Sequence, residues 1–139
     1  MDDTSLLEKI KRAPRVYVIG NGGSYANADH IANDLLSVGV RAFVINPAFF
    51  SATSNDYGYE WSFARWIEIV GEVDDLVLAL SGSGKSENIL KAMRYAKAKG
   101  MQTHLVTHYL KGRDMQESEE DQIVIGHEMM KALKETNND

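Results

Sequence analysis

The run Val77-Leu78-Ala79-Leu80 is apolar at four successive positions and passes straight into Ser81-Gly82-Ser83-Gly84-Lys85-Ser86. Successive strand residues point to opposite faces, so a strand apolar on both must be covered on both. That requirement predicts a parallel sheet between two helical layers. A Ser- and Gly-rich turn that opens a helix gathers hydroxyls and unpaired backbone N–H groups where the helix dipole favours negative charge. Residues 81–86 therefore read as a phosphate cradle, built from Ser81, Gly82, Ser83 and Ser86 with Lys85 as a nearby cation. A nucleotide P-loop requires Gly where Ala79 stands, so that motif is not met.

The same alternation runs through the chain. Residues 15–19 form a β-branched run closed by Gly20-Asn21-Gly22-Gly23, with Ser24 the expected N-cap of a helix over 26–38. Further strands are expected at 40–45, 75–80 and 102–107, and helices at 4–12, 61–70, 87–99 and about 119–134. Asn46-Pro47 reads as the start of a loop, and 109–118 as a polar connector. The pattern predicts one α/β domain over 1–139, a three-layer sandwich around a mainly parallel sheet of four to five strands. Ligands bind such sheets beyond the carboxyl ends of the strands, where loops 20–24 and 81–86 both fall. Gly20-Asn21-Gly22-Gly23-Ser24-Tyr25 lacks the third glycine of a dinucleotide fingerprint, so no nucleotide cofactor is expected.

A net charge of −5 without a basic block leaves no electrostatic footprint for nucleic acid, and no apolar run is long enough to span a membrane. The absence of Cys removes disulfides, thiol nucleophiles and Cys-type zinc sites. The acidic opening Met1-Asp2-Asp3-Thr4 is unlike a signal segment, and a cytoplasmic location is expected. His30 and Asp34, four apart, share a helix face and can share a proton or a metal, although the same spacing also makes an ordinary surface pair. His127, among Ile125, Met129 and Met130, reads by itself as an interior or interface histidine.

Taken together, several segments resemble the sugar isomerase (SIS) family, most nearly its heptose-phosphate branch. They are Gly20-Asn21-Gly22-Gly23-Ser24, Ala28-Asp29-His30, Ser54-Asn55-Asp56-Tyr57-Gly58-Tyr59, Phe63-Ala64-Arg65, and the stretch from Leu80 through Ser86 to Glu87-Asn88. The resemblance implies a flavodoxin-like sheet and phosphate held by Ser81, Ser83 and Ser86. It also implies sugar contacts from Asn21, Gly22, Ser24, Asn55 and Asp56, and a homo-oligomer with sites between subunits. The implied reaction passes through an enediol and converts sedoheptulose 7-phosphate to D-glycero-D-manno-heptose 7-phosphate. Asp34 would be the base, in place of a family Glu, and His127 the acid. An implied zinc set comprises His30, Asp34, Glu119 and His127; Glu119 and His127 would stand about 12 Å apart on one straight helix, so one metal joins them only if Glu119 precedes the helix or the two come from different subunits. Gly82 and Lys85 depart from the family motif, a fifth strand is not evident, and the long family N-terminal helix is not matched. These departures support a second expectation, a non-catalytic phosphosugar-binding module that regulates or assembles with a protein partner.

Overall fold

Leu6 and Ile10, one turn apart, give the first helix, α1 (Asp3–Arg12), a buried side, and Pro14 ends it. A computed structural model describes residues 3–107 and 114–137. The remaining elements are β1 (Val16–Gly20), α2 (Gly23–Ser37), β2 (Ala42–Phe43), α3 (Pro47–Tyr57), a 3-10 turn (Tyr59–Trp61), α4 (Ala64–Val70), β3 (Leu76–Leu80), α5 (Glu87–Ala98), β4 (Gln102–Val106) and α6 (Met115–Asn137).

The strands form one parallel sheet in the order β2-β1-β3-β4, the flavodoxin-like arrangement, with four strands among the described residues. β1 and β3 are buried along their whole lengths. Alternation then divides their side chains between two cores. Val16, Val18, Leu76, Leu78 and Leu80 pack with Leu6, Ile31, Leu35 and Met129 of α1, α2 and α6. Tyr17, Ile19, Val77 and Ala79 pack on the other face with Phe63, Ile67, Ile89 and Ala92. The three layers expected from the apolar strand are therefore present. Gly20 at the end of β1 is the register partner of Leu80 at the end of β3, so the two Gly/Ser loops leave the sheet at one level. α2 then covers one face and α5 the other, which opens a crevice between the loops.

Several boundaries differ from expectation for identifiable reasons. Asn46-Pro47 starts a helix instead of a loop, because Asn46 Oδ1 accepts from the Phe49 N–H at 2.8 Å and Pro47 sits in the first turn. The strand expected at 40–45 shrinks to two residues as the chain turns into that cap. The helix expected at 61–70 divides into the 3-10 turn and α4. Ser24 is not an N-cap, since α2 begins earlier and its cap is Gly22, whose φ of 57° suits glycine. Residues 115–118, read as connector, belong to α6. The Glu117 N–H donates to Asp114 Oδ1 at 2.9 Å and Glu117 Oε1 faces the Asp114 N–H at 3.4 Å, a reciprocal capping box. The rest of the connector up to residue 113 lies outside the described residues.

Candidate functional site

The loop between β3 and α5 is organised by its own hydroxyls. Ser81 is 4% exposed, accepts from the Gly84 N–H at 3.1 Å, and its Oγ stands 3.2 Å from Ser86 Oγ. Ser83 Oγ accepts from the Lys85 N–H at 3.0 Å, and Thr107 Oγ1 donates to the Gly82 carbonyl at 3.3 Å. Ser86 caps α5 by backbone position alone, without a side-chain bond to the first-turn N–H groups. The first-turn N–H groups of α5 are therefore not taken up by that side chain. Lys85 is exposed beside them.

Across the crevice, Asn21 faces Asn88 in a reciprocal amide pair, each Nδ2 donating to the other's Oδ1 at 2.9 Å. Asn88 is fully buried and also donates to Ser62 Oγ at 3.1 Å. A cleft of about 390 Å³ lies beside Asn21 and Gly22, walled by Tyr25, Phe50 and Tyr59. Burial, and then the nearby Asp29 carboxylate, push the Tyr25 phenol up, so it stays protonated and donates to the Ile45 carbonyl at 2.8 Å. His30, Asp34 and His127 do not line this cleft.

Those three meet where α6 packs along α2. His30 and His127 each bring Nε2 to Asp34 Oδ2, at 3.3 and 3.6 Å, and the two nitrogens are 3.2 Å apart. The Asp34 side chain is 11% exposed, whereas the histidines are half exposed, at 50% and 51%. Asp34 Oδ2 is buried and no donor meets hydrogen-bond geometry to it among the described residues. The helices approach closely because residue 126 is glycine; a Cβ there would stand 2.6 Å from Ile31 Cγ1. Farther back, Gln122 is 2% exposed and donates to Ser24 Oγ at 3.1 Å, while Asn27 donates to Gln122 Oε1 and to the Glu119 carbonyl.

Ser24, expected to face the sugar, is thus 3% exposed and turned toward Gln122. Glu119 does not join the His/Asp cluster. It lies in α6 eight residues before His127, and its carboxylate packs against Gly23, where a Cβ would overlap it. Asn55 and Asp56 are exposed in the last turn of α3, with Asn55 Nδ2 donating to Asp56 Oδ1 at 3.1 Å. Asn88 and Gln122 were not singled out as site residues in the sequence. Gln122 carried one signal, because it continues the 118, 122, 125, 129, 133 stripe that turns out to be the buried side of α6.

Comparison with known proteins follows the same lines. Over 109 residues the chain is 41% identical to the phosphoheptose isomerase of Vibrio vulnificus, an overlap of 73% of this chain and 57% of that protein. The chain therefore spans less than two thirds of that relative's length. In structure it resembles a phosphoheptose isomerase from Francisella tularensis, with TM-score 0.86 and 24% identity over 96% of this chain and 84% of that one. It also resembles the phosphoheptose isomerase of Neisseria gonorrhoeae, with TM-score 0.84 and 22% identity over 96% and 83%. These two likenesses establish the fold. The sequence profile of the SIS domain matches residues 4–107, which include both Gly/Ser loops and the helix carrying His30 and Asp34, and the chain belongs to the SIS domain family.

Proposed function

We propose that the chain is an aldose–ketose isomerase of phosphosugars, converting sedoheptulose 7-phosphate to D-glycero-D-manno-heptose 7-phosphate. The observation that carries this reading is the buried Oδ2 of Asp34, on the helix that begins at the crevice, which meets no donor in hydrogen-bond geometry among the described residues and lies beside the imidazoles of His30 on that helix and His127 on α6. The curated relatives named phosphoheptose isomerase support the choice of sugar.

In this reading the phosphate enters loop 81–86, exchanging the loop's internal hydroxyl bonds for bonds to its own oxygens and meeting the first-turn N–H groups of α5. Asn21 and the backbone at Gly22 border the sugar chain, and Asn55 and Asp56 contact substrate across a homo-oligomer interface. Their exposure, and that of Val124 (52%) one turn from His127, fit sites completed by a second copy. Asp34 removes the C1 proton of the ketose while His127, as the acid, gives a proton to the C2 carbonyl oxygen, forming an enediol; a proton then enters at C2 as the O1 proton leaves, giving the aldose. The imidazoles on either side of Asp34 Oδ2 fix the position of this proposed base on α2.

The cluster also suits zinc. Donor atoms around a tetrahedral zinc with bonds of about 2.0–2.1 Å stand about 3.3–3.4 Å apart, and the three edges of His30, Asp34 and His127 are 3.2, 3.3 and 3.6 Å. Zinc bound there would polarise a substrate oxygen and stabilise the enediolate charge. These three residues of one chain would hold it, with Asp34 Oδ2 then a ligand, and Glu119, which faces Gly23 in its own chain, would join them only from a second copy.

Incubation with sedoheptulose 7-phosphate in D₂O is the test. The expected result is deuterium at the exchanging carbon and appearance of the aldose phosphate. Stabilisation by the sugar phosphate with no exchange at high protein concentration would instead assign the non-catalytic binding module.

A further inference from the structure

We infer that Asn88 is a positioning residue. Through its amide pair with Asn21, it transmits occupancy of the 81–86 anion loop to the 20–24 loop and so to the start of the helix that carries His30 and Asp34. The inference rests on the phosphate reading of loop 81–86. It adds a role that neither the loop nor the His/Asp cluster has by itself.

Asn88 stands two residues after the cap Ser86, in the first turn of α5. Its backbone N–H is one of the unpaired groups at that helix start, while its side chain leaves in the opposite sense, into the protein. Every polar atom of that side chain is used. Nδ2 donates to Asn21 Oδ1 at 2.9 Å and to Ser62 Oγ at 3.1 Å, and Oδ1 accepts from Asn21 Nδ2 at 2.9 Å. Asn88 and Ser62 are each 0% exposed, so the bond between them does not compete with water, while Asn21 is half-buried at the cleft. A buried amide network with all its bonds made is rigid and directional, whereas an apolar residue of similar volume would fill the same space without fixing an angle. The side chain thus ties three segments at one point: the first turn of α5, the 20–24 loop, and the link between the 3-10 turn and α4.

The neighbouring backbone gives the tie its leverage. Asn21 immediately precedes Gly22, the cap of α2, and its carbonyl accepts from the Ser24 N–H at 2.9 Å. A shift of Asn21 therefore moves the first turn of α2. An anion drawn onto the N–H groups of α5 sets the position of Asn88, and the reciprocal pair passes that position to Asn21 through two bonds that hold both translation and tilt.

Hydrogen exchange of the full chain with inorganic phosphate as the probe tests this without reliance on turnover. In the unsubstituted protein, saturating phosphate should slow exchange of the 87–89 amides and, through the pair, of the 22–25 amides, each about tenfold. Asn88→Ala, and the less buried Asn21→Ala, should keep the slowing at 87–89 and lose it at 22–25. Slowing at 22–25 that persists in the variants, or never occurs in the unsubstituted protein, overturns the inference. So does loss of slowing at 87–89 in the variants, or failure of both to fold, because the pair would then only maintain the cradle or the core. No slowing at 87–89 in the unsubstituted protein overturns the phosphate reading as well, which separates the two failures.

Discussion

The Ser/Gly loop 81–86 and the His/Asp corner are built in opposite ways. Loop 81–86 is contiguous, and its hydroxyls bond to backbone and to each other within five residues. The corner joins His30 and Asp34 to His127, 97 residues from His30, and exists only because α6 lies against α2 at Gly126. One site can be damaged atom by atom while its frame survives. The other depends on the approach of two helices, so a change that never touches a ligand can dissolve it. The comparison predicts that binding and turnover separate cleanly under substitution.

The largest expected effect is at Asp34. Asp34→Asn removes the proposed base while preserving shape, and turnover should fall about 10³-fold. The inorganic phosphate affinity of the variant, measured by calorimetry, should stay within about twofold. A parallel loss of both would show that the two regions are one unit. Next is Gly126→Val, which forces side-chain atoms into the space of Ile31. Overpacking of about 1–3 kcal/mol outweighs a helix-propensity gain of about 0.5 kcal/mol. Denaturant midpoints should therefore drop. As α6 moves off α2, turnover should fall about 10²-fold with phosphate affinity retained, and unchanged turnover would remove the corner from the mechanism. The smallest effect is Ser81→Ala. Losing one hydroxyl proposed to bind phosphate costs about 1–1.5 kcal/mol, so phosphate should bind about tenfold more weakly. Turnover at saturating substrate should stay close to that of the unsubstituted protein, and a selective loss of turnover instead would make Ser81 part of the chemistry.

The same contrast explains what could be read from residues alone. The central strands, the three layers and the 81–86 loop were legible because each rests on neighbours in sequence: four apolar residues, then Ser and Gly at a helix start. Helix α3 was missed at Asn46-Pro47, a pair that favours turns and helix starts equally until the Asn46 side chain is seen to cap Phe49. Asp114 and Glu117 hid the true start of α6 in a charged stretch, where a capping box looks like any other polar run. Ser24 suited both a cap and a sugar contact by type, and the packing of Gln122 turned its hydroxyl inward.

His30 and Asp34 could be paired from their spacing, since four residues make one helical turn. Whether His127 and Glu119 would both reach them was a question of how a second helix is rotated and how closely it approaches. Both side chains can bind a metal or move a proton. The glycine at 126 and the anchoring of Gln122 set α6 so that His127 faces Asp34 while Glu119 faces Gly23. Local pattern thus determined the sheet, its two covering layers and the Ser/Gly loop at a helix start, because hydrophobic period and helix-end chemistry act over a few residues. Membership of the His/Asp corner required the fold, because contacts between distant helices depend on the shape of the surfaces that pack together.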